Sequence, residues 1–376
     1  MMISVLNKIV GSFTLFLLFM LAPTHAVAAS PTLVQAKKEA EAKGYIFFTT
    51  HDEIVAMAKK EGKLRVMTGF ETQTLKPLIN AFKQRYPFMT DIRVEVVQGA
   101  AAQQRAVLEI KSGQAKGWDI THISRELASE HIPYLMKHDI LEMAKHGVLK
   151  IHPGMIHPFE KNIVSVTSSI TVVSYNKKLI SDDKVPAQWE GFLRPEFKGK
   201  KFVLELQSTA IASLVPAWGL ERTLDFARKL AAQQPVWGSG SRRITTAMLA
   251  GEHSLYLGGS PGGVKRAMDK DPTRSLSYKL VEPVPTRIID QASGVLNPAD
   301  HPHAALLFLE FLASPEGQEI LDKYEPLRAS VFTSGSVTEQ MTRGKKLSVV
   351  DWNHYTRYQE YMDKIFAAFG FPKADK

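Results

Sequence analysis

Blocks of period-two and period-3.6 hydrophobicity alternate along this chain. The segment "KLRVMTG" (63–69) reads as a strand and is followed by the helical pattern "LKPLINAFKQRYP" (75–87). Strand "IRVEVVQG" (92–99), helix "AAQQRAVLEIKSGQ" (101–114) and strand "WDITHIS" (118–124) continue the order. Strands alternating with amphipathic helices predict βαβ units and a largely parallel sheet. Upstream, "AKKEAEAK" (36–43) predicts a short charged helix. "HDEIVAMAKKE" (51–61), with Ile54, Val55 and Ala58 on one face and Gly62 as a stop, predicts an amphipathic one.

A second series begins near the middle. Strand "KKFVLEL" (200–206) ends at Gln207-Ser208-Thr209 and is followed by helix "TLDFARKLAAQ" (223–233). Gly238-Ser239-Gly240 precedes helix "SRRITTAMLA" (241–250), and strand "SLYLGG" (254–259) follows. Two β-rich runs, "NIVSVTSSITVVSYNKK" (162–178) and "YKLVEPVPTRIID" (278–290), flank this series, and the first is too long for one ordinary strand. Two α/β units joined by two extended stretches predict a bilobed protein whose chain crosses between lobes twice. "PHAALLFLEFLAS" (302–314) is a strongly apolar helix, and Ser314-Pro315-Glu316 starts the next with Pro at the first position and an acid in the first turn. Ligands of open α/β sheets bind outside the carboxyl ends of the strands. Here those ends carry Thr68-Gly69, Gly99-Ala100 and Thr121 to Ser124.

Composition adds a location. The 376 residues are 44% apolar and 23% charged, as in ordinary globular proteins. Lys8, an almost uncharged run from Ile9 to Ala22, and Ala26-Val27-Ala28-Ala29 together make a cleavable secretory leader over residues 1–29. The apolar run is short of the about 20 residues that span a bilayer. The chain has no cysteine, which removes disulfides, thiol chemistry, Cys-based metal sites and a lipid-attachment cysteine. A freely diffusing periplasmic protein is the simplest reading. The net charge of +9 is spread over pairs such as Lys59-Lys60, Arg242-Arg243 and Lys345-Lys346, without the basic stripe that nucleic acid requires.

Candidate chemistry concentrates in "SLYLGGSPGGVKRAMDK" (254–270). Gly258-Gly259-Ser260-Pro261-Gly262 matches the G-x-S-x-G elbow of serine hydrolases in a strand-turn-helix context. The mechanism needs an oxyanion-hole N–H on the residue after the nucleophile. Here that residue is Pro261, which has none. Gly258 and Gly263 have Walker A spacing, but Val264 stands where lysine is required. His152, His157, His301 and His303 lack metal-binding spacing and read as surface histidines, and no carboxylate pair stands out for acid–base work. Arg242-Arg243, after a Gly-Ser-Gly turn at a helix start, offer a planar partner for carboxylate or phosphonate.

Five segments in order resemble the class II periplasmic substrate-binding proteins of ABC importers, in the iron(III)-type branch. They are "KLRVMTGFETQTLKPLINAFKQRYP", "GWDI", "VVSYNKKLISDDKVPAQWEGFLRPEFKGK", "AMLAGEHSLYLGG" and "NPADHPHAALLFLEFLASPEGQEIL", the third being the most specific through Tyr175-Asn176, Trp189, Pro195 and Gly199-Lys200. The resemblance implies an α/β fold of two Rossmann-like lobes joined by a two-strand hinge near Ser168-Ser169 and Pro283 to Arg287. It divides the chain into a leader (1–29), an N-terminal helical extension (30–62), lobe 1 (63–167 plus 286–376) and lobe 2 (168–285). A monomer would capture a small solute between the lobes and present it to an inner-membrane permease, without cofactor, resident metal or nucleic-acid partner, and without catalysis. The expected ligand-binding residues are Gly69, Phe70, Ser124, Ser169, Ser208, Thr209, Arg242, Arg243 and Ser260. Ferric-ion binders of this family carry adjacent tyrosines just past the strand that here reads "SLYLGG". This chain has Gly259-Ser260-Pro261-Gly262 at that place, and Tyr256 lies three residues too early. A small anionic organic solute is therefore the expected ligand, ahead of ferric ion through other oxygen donors, and both stand ahead of a secreted hydrolase using Ser260.

Overall fold

A computed structural model of the chain describes residues 31–371, except 125, 126, 208 and 326. The expected leader (1–29) lies outside the described residues, and so does Ser208. Thirteen strands are present among the described residues: β1 Lys63–Thr68, β2 Asp91–Val96, β3 Ile120–Ile123, β4 Ile163–Ser165, β5 Ser169–Ile170, β6 Val173–Asn176, β7 Val203–Glu205, β8 Val236–Gly238, β9 Leu255–Leu257, β10 Leu276–Lys279, β11 Val284–Arg287, β12 Ala292–Val295 and β13 Leu347–Val350.

They form two five-stranded sheets and a small third one. The first sheet has the order β2-β1-β3-β12-β4 and the second β10-β6-β9-β7-β8. The sheets are mixed rather than largely parallel. β1 pairs in parallel with β2 and β3, but β12 runs antiparallel to β3 and β4. In the second sheet β6 runs antiparallel to β9 and β10. The reason is the crossing between lobes: a strand that arrives from the other lobe enters its sheet at the cleft edge and so runs backwards. Thus Ala292, which starts β12, lies opposite Ile123, which ends β3, and Val173, which starts β6, lies opposite Leu257, which ends β9.

The crossings themselves make the third sheet, β13-β11-β5. The long run 162–178 is three strands in series: β4 in the first sheet, β5 in the hinge and β6 in the second sheet. The return run 278–290 takes in the end of β10 and all of β11, and β12 follows it. At the hinge Thr286 pairs with Ile170 and Arg287 with Ser169.

The first lobe's core is built on helix Pro302–Ala313, buried at every position from Ala304 to Ala313. It packs against helix His51–Glu61. That helix is well specified at both ends: Thr50 accepts from the Glu53 amide, acids occupy its first turn and lysines its last, and Gly62 closes it at φ +60°. Residues 31–62, within the expected extension, pack onto lobe 1. Leu33, Ala40, Ile54 and Ala58 belong to the core of lobe 1.

The C-terminal part also differs from expectation. β13 joins the hinge beside β11, and helix Tyr358–Ala368 inserts Tyr358, Tyr361 and Ile365 into the core of lobe 2. Its register is held by Tyr358, whose hydroxyl donates to the Thr209 carbonyl at 2.6 Å. Residues 358–368, within the stretch 286–376 expected in lobe 1, thus pack on lobe 2.

Candidate functional site

The carboxyl ends of both sheets face the hinge, so the site is described from three sides. On the lobe 1 side, the Gly69 carbonyl that ends β1 accepts from Gln98 Nε2 at 2.9 Å and from Gln291 Nε2 at 3.1 Å. A Cβ on Gly69 would lie 2.9 Å from His122 Cε1 and 3.1 Å from Gln291 Oε1, so close packing requires the glycine there. His122 is buried, and that burial, then the charge of nearby His131, lowers its pKa to about 4 despite Asp290. It is a neutral imidazole at physiological pH. Two buried polar atoms at this edge have no hydrogen-bond partner: His122 Nδ1 and Ser124 Oγ. Phe70 does not face them. Its ring is buried in the lobe 1 core, beside Leu75, Leu78 and Phe308.

The hinge side carries charge. Arg287 Nη2 donates to Ser169 Oγ at 3.0 Å and lies 3.6 Å from Asp290. Asp290 also receives Arg328, which donates through Nε at 3.1 Å and through Nη2. Burial pushes the Asp290 carboxyl up, but Arg328 and Arg287 outweigh it and hold the pKa at about 2. Arg328 further meets Glu325, a fully buried carboxylate, at 3.2 Å. Glu325 in turn accepts from Thr74 Oγ1 at 2.9 Å and from the Glu71 amide. Glu325 thus satisfies the N-cap amide of the helix after β1, which starts at Thr72 rather than near Leu75.

On the lobe 2 side, the Gly259 carbonyl accepts from the Val172 amide at 3.2 Å, which ties the turn after β9 to the hinge. Ser260 is exposed and caps helix Pro261–Asp269, accepting from the Gly263 amide at 3.2 Å. Among the described residues no histidine is hydrogen-bonded to its hydroxyl, so the nucleophile elbow is present in letters and absent in arrangement. Tyr256 is fully buried and donates to Glu205 Oε2 at 2.9 Å. Burial first, then the Glu205 charge and that bond, push its phenol far above the ordinary range. It offers no phenolate. Ser174 Oγ, buried beside Gly259, has no partner. Thr209 is partly buried, and its carbonyl is used by Tyr358 and Ser213.

Arg242 and Arg243 are exposed and unpaired with any carboxylate among the described residues. They line an open hollow of about 630 Å³ with Ser239, Thr246 and Glu252, along helix Ser241–Leu249 beside edge strand β8. That hollow is separate from the hinge. The structure thus brings Ser124, Ser169 and Ser260 to the edges around the hinge and leaves the arginine pair apart. It adds residues that sequence reasoning missed: Arg266, Arg287, Asp290 and Arg328. Arg287 and Asp290 had a signal, being charges inside an otherwise apolar β-rich run. The histidine pair at 301 and 303 is structural rather than loose surface, since His301 Nδ1 meets Asp119 at 3.0 Å and His303 Nδ1 meets Glu61 at 2.6 Å. Among the described residues no group of three or more His, Asp or Glu is placed to hold a metal ion.

Comparison with known proteins settles the family. The sequence pattern of bacterial extracellular solute-binding proteins matches residues 77–345. The chain belongs to that family. Among solved structures, this solute-binding protein is similar in fold to the ferric iron-binding protein A of Mannheimia haemolytica in an open conformation. The TM-score is 0.63 at 16% identity, covering 82% of this chain and 99% of that one. A Trichodesmium protein in complex with iron and citrate matches at TM-score 0.60 and 17% identity, over 82% and 100%. The substrate-binding protein of an ABC transporter from Agrobacterium tumefaciens matches at 0.58 and 16%, over 82% and 95%. By sequence, no curated protein matches the chain. At these identities the likeness concerns the fold: two α/β lobes about a strand hinge.

Proposed function

We propose that this solute-binding protein is the periplasmic component of an ABC importer. It captures a small anionic organic solute between its lobes and delivers it to a membrane permease, without chemical change. The observation that carries this reading is that four of the eleven buried side-chain polar atoms without a hydrogen-bond partner among the described residues stand on facing edges: His122 Nδ1 and Ser124 Oγ from lobe 1, and Ser174 Oγ and Arg266 Nη1 from lobe 2. Buried polar groups without partners are rare and destabilising in a protein that has no ligand for them. Arg287, with one hydrogen bond to Ser169 and a looser approach to Asp290, also has donors to spare. A ligand that satisfies these groups only when the lobes are together shifts the open–closed equilibrium by that differential affinity. Micromolar binding corresponds to about −8 kcal/mol, within reach of a few such bonds and one ion pair. The leader at 1–29 supports export to the periplasm.

Ferric binding is the second reading, favoured by the printed descriptions of two of the similar structures. Against it, the turn after β9 supplies no phenolate, and Tyr256 is sealed and protonated. A thermal-shift panel of carboxylates, phosphonates, amino acids, polyamines and ferric complexes tests both. An acid should raise the melting temperature. A shift with ferric citrate, accompanied by a visible absorption band, would replace the anionic reading. No shift with any member of the panel would overturn solute capture.

A further inference from the structure

Among the described residues, an ion pair joins the two lobes. Arg266, on helix Pro261–Asp269 of lobe 2, places Nη1 3.5 Å from Oε1 of Glu71, the residue before helix Thr72–Arg85 of lobe 1. The pair is incomplete: 42% of the Arg266 side chain is exposed, but its Nη1 atom is buried and has no hydrogen-bond partner. The other cleft arginines are better served, Arg328 by Asp290 and Glu325, and Arg287 by Ser169 and Asp290. Glu71 is itself only loosely committed. Its carboxylate accepts from Gln73, and 29% of its side chain is exposed. A carboxylate at one arginine's charge, without the bidentate geometry that arginine favours, is a stand-in that a better-placed acid can displace.

Resting on the reading as a solute-binding protein, we propose that Arg266 is the lobe 2 anchor for the acid group of the solute, and that Glu71 occupies its place when the solute is absent. Binding then exchanges an internal carboxylate for an external carboxylate or phosphonate, and Glu71 swings to solvent. Glu71 also sets the sign of selectivity, since a cationic solute in this position would use Glu71 and be repelled by Arg266.

The signs of two variants decide the matter. Acetate, succinate, citrate, glutamate, methylphosphonate, inorganic phosphate, spermidine and ferric citrate are titrated calorimetrically into the mature protein, Glu71→Gln and Arg266→Gln. Thermal melts of both variants without ligand show that they fold. An acid that binds the unaltered protein is expected to bind Glu71→Gln roughly two- to fivefold tighter, because competition from an exposed pair is removed. It should bind Arg266→Gln about tenfold or more weaker. A simple latch between lobes predicts that both variants change affinity in the same direction, and that result overturns the proposal. Unchanged acid binding in Arg266→Gln overturns it as well. Binding of spermidine or ferric citrate alone, weakened in Glu71→Gln, refutes the acid anchor and leaves the solute-binding reading intact. Binding of nothing in the panel refutes both.

Discussion

Replacing Arg328 by methionine removes a guanidinium that touches both Asp290 and Glu325 while keeping most of its apolar stem. Asp290 loses two of its donors and Glu325 its cation. The Asp290 side chain is 14% exposed and that of Glu325 is fully buried, so water replaces little of the loss. The fall of the Asp290 pKa from an ordinary carboxylate value near 3.9 to about 2 corresponds to roughly 2–3 kcal/mol. Part of this belongs to Arg287, which remains. Breaking a buried pair by removing one partner costs about 3–5 kcal/mol. Arg328 is 28% exposed and Glu325 keeps its Thr74 bond, which places the expected loss near the lower end, about 3 kcal/mol. The sign with pH follows from a lowered carboxyl: its contribution is complete above the ordinary carboxylate range and is lost as pH falls through about 2. Urea unfolding at pH 7 should therefore show the full loss for Arg328→Met. The gap to the unaltered protein should narrow between pH 7 and pH 3, because the variant's Asp290 protonates earlier. A loss under about 1 kcal/mol, or a gap that does not change with pH, would refute the account of this network as a strongly coupled buried site.

Three other outcomes are expected. His122, His138 and His157 all sit at about 4, chiefly through burial, against 6.5 for a free imidazole. The unfolded chain then takes up protons first, so the urea midpoint should fall as pH drops from 6.5 to 4, and a midpoint flat over that range would contradict the burial argument. Ser260→Ala should lower stability by about 1 kcal/mol through loss of the helix cap, Ser260→Asp should retain it, and ester hydrolysis should stay at background in both. Hydrolysis above background that disappears in Ser260→Ala would make the serine a nucleophile after all. Tyr256→Phe strips Glu205 Oε2 of its donor and should cost about 1–2 kcal/mol in unfolding while leaving solute binding unchanged. Loss of a visible band with ferric citrate in that variant would instead mark Tyr256 as a metal ligand.

Local pattern carried the elements well. β1, β2 and β3 stand where apolar runs end in glycine or hydroxyl residues, and helix Pro302–Ala313 where the run "PHAALLFLEFLA" predicts one. Strand direction was a different matter. Whether β6 and β12 run with or against their neighbours depends on which lobe the chain has just left, and no periodicity within a strand encodes that. The same holds for helix Tyr358–Ala368. Its apolar stripe announces that it covers a core, but the bond from Tyr358 to Thr209, 149 residues away, decides which one.

The site was legible only where a single residue type was enough. Ser124, Ser169 and Ser260 read in the sequence as hydroxyls near strand ends and lie at the edges around the hinge, whereas Phe70, next to Gly69, turns into the core with Leu78 and Phe308. Arg287–Asp290 and Arg328–Glu325 are pairs three residues apart along the chain, but the other partners lie across the fold and escape a local reading. Arg328 meets Asp290 over 38 residues, and Arg266 meets Glu71 in the other lobe. A net charge of +9 is accordingly a poor guide to ligand sign. Among the described residues, three arginines and three carboxylates, Arg266, Arg287 and Arg328 against Glu71, Asp290 and Glu325, balance around the hinge. With no excess charge to attract an anion, selection must rest on which arginine is least well paired. By that criterion the choice falls on Arg266, whose buried donor faces a carboxylate 3.5 Å away and bonds to nothing.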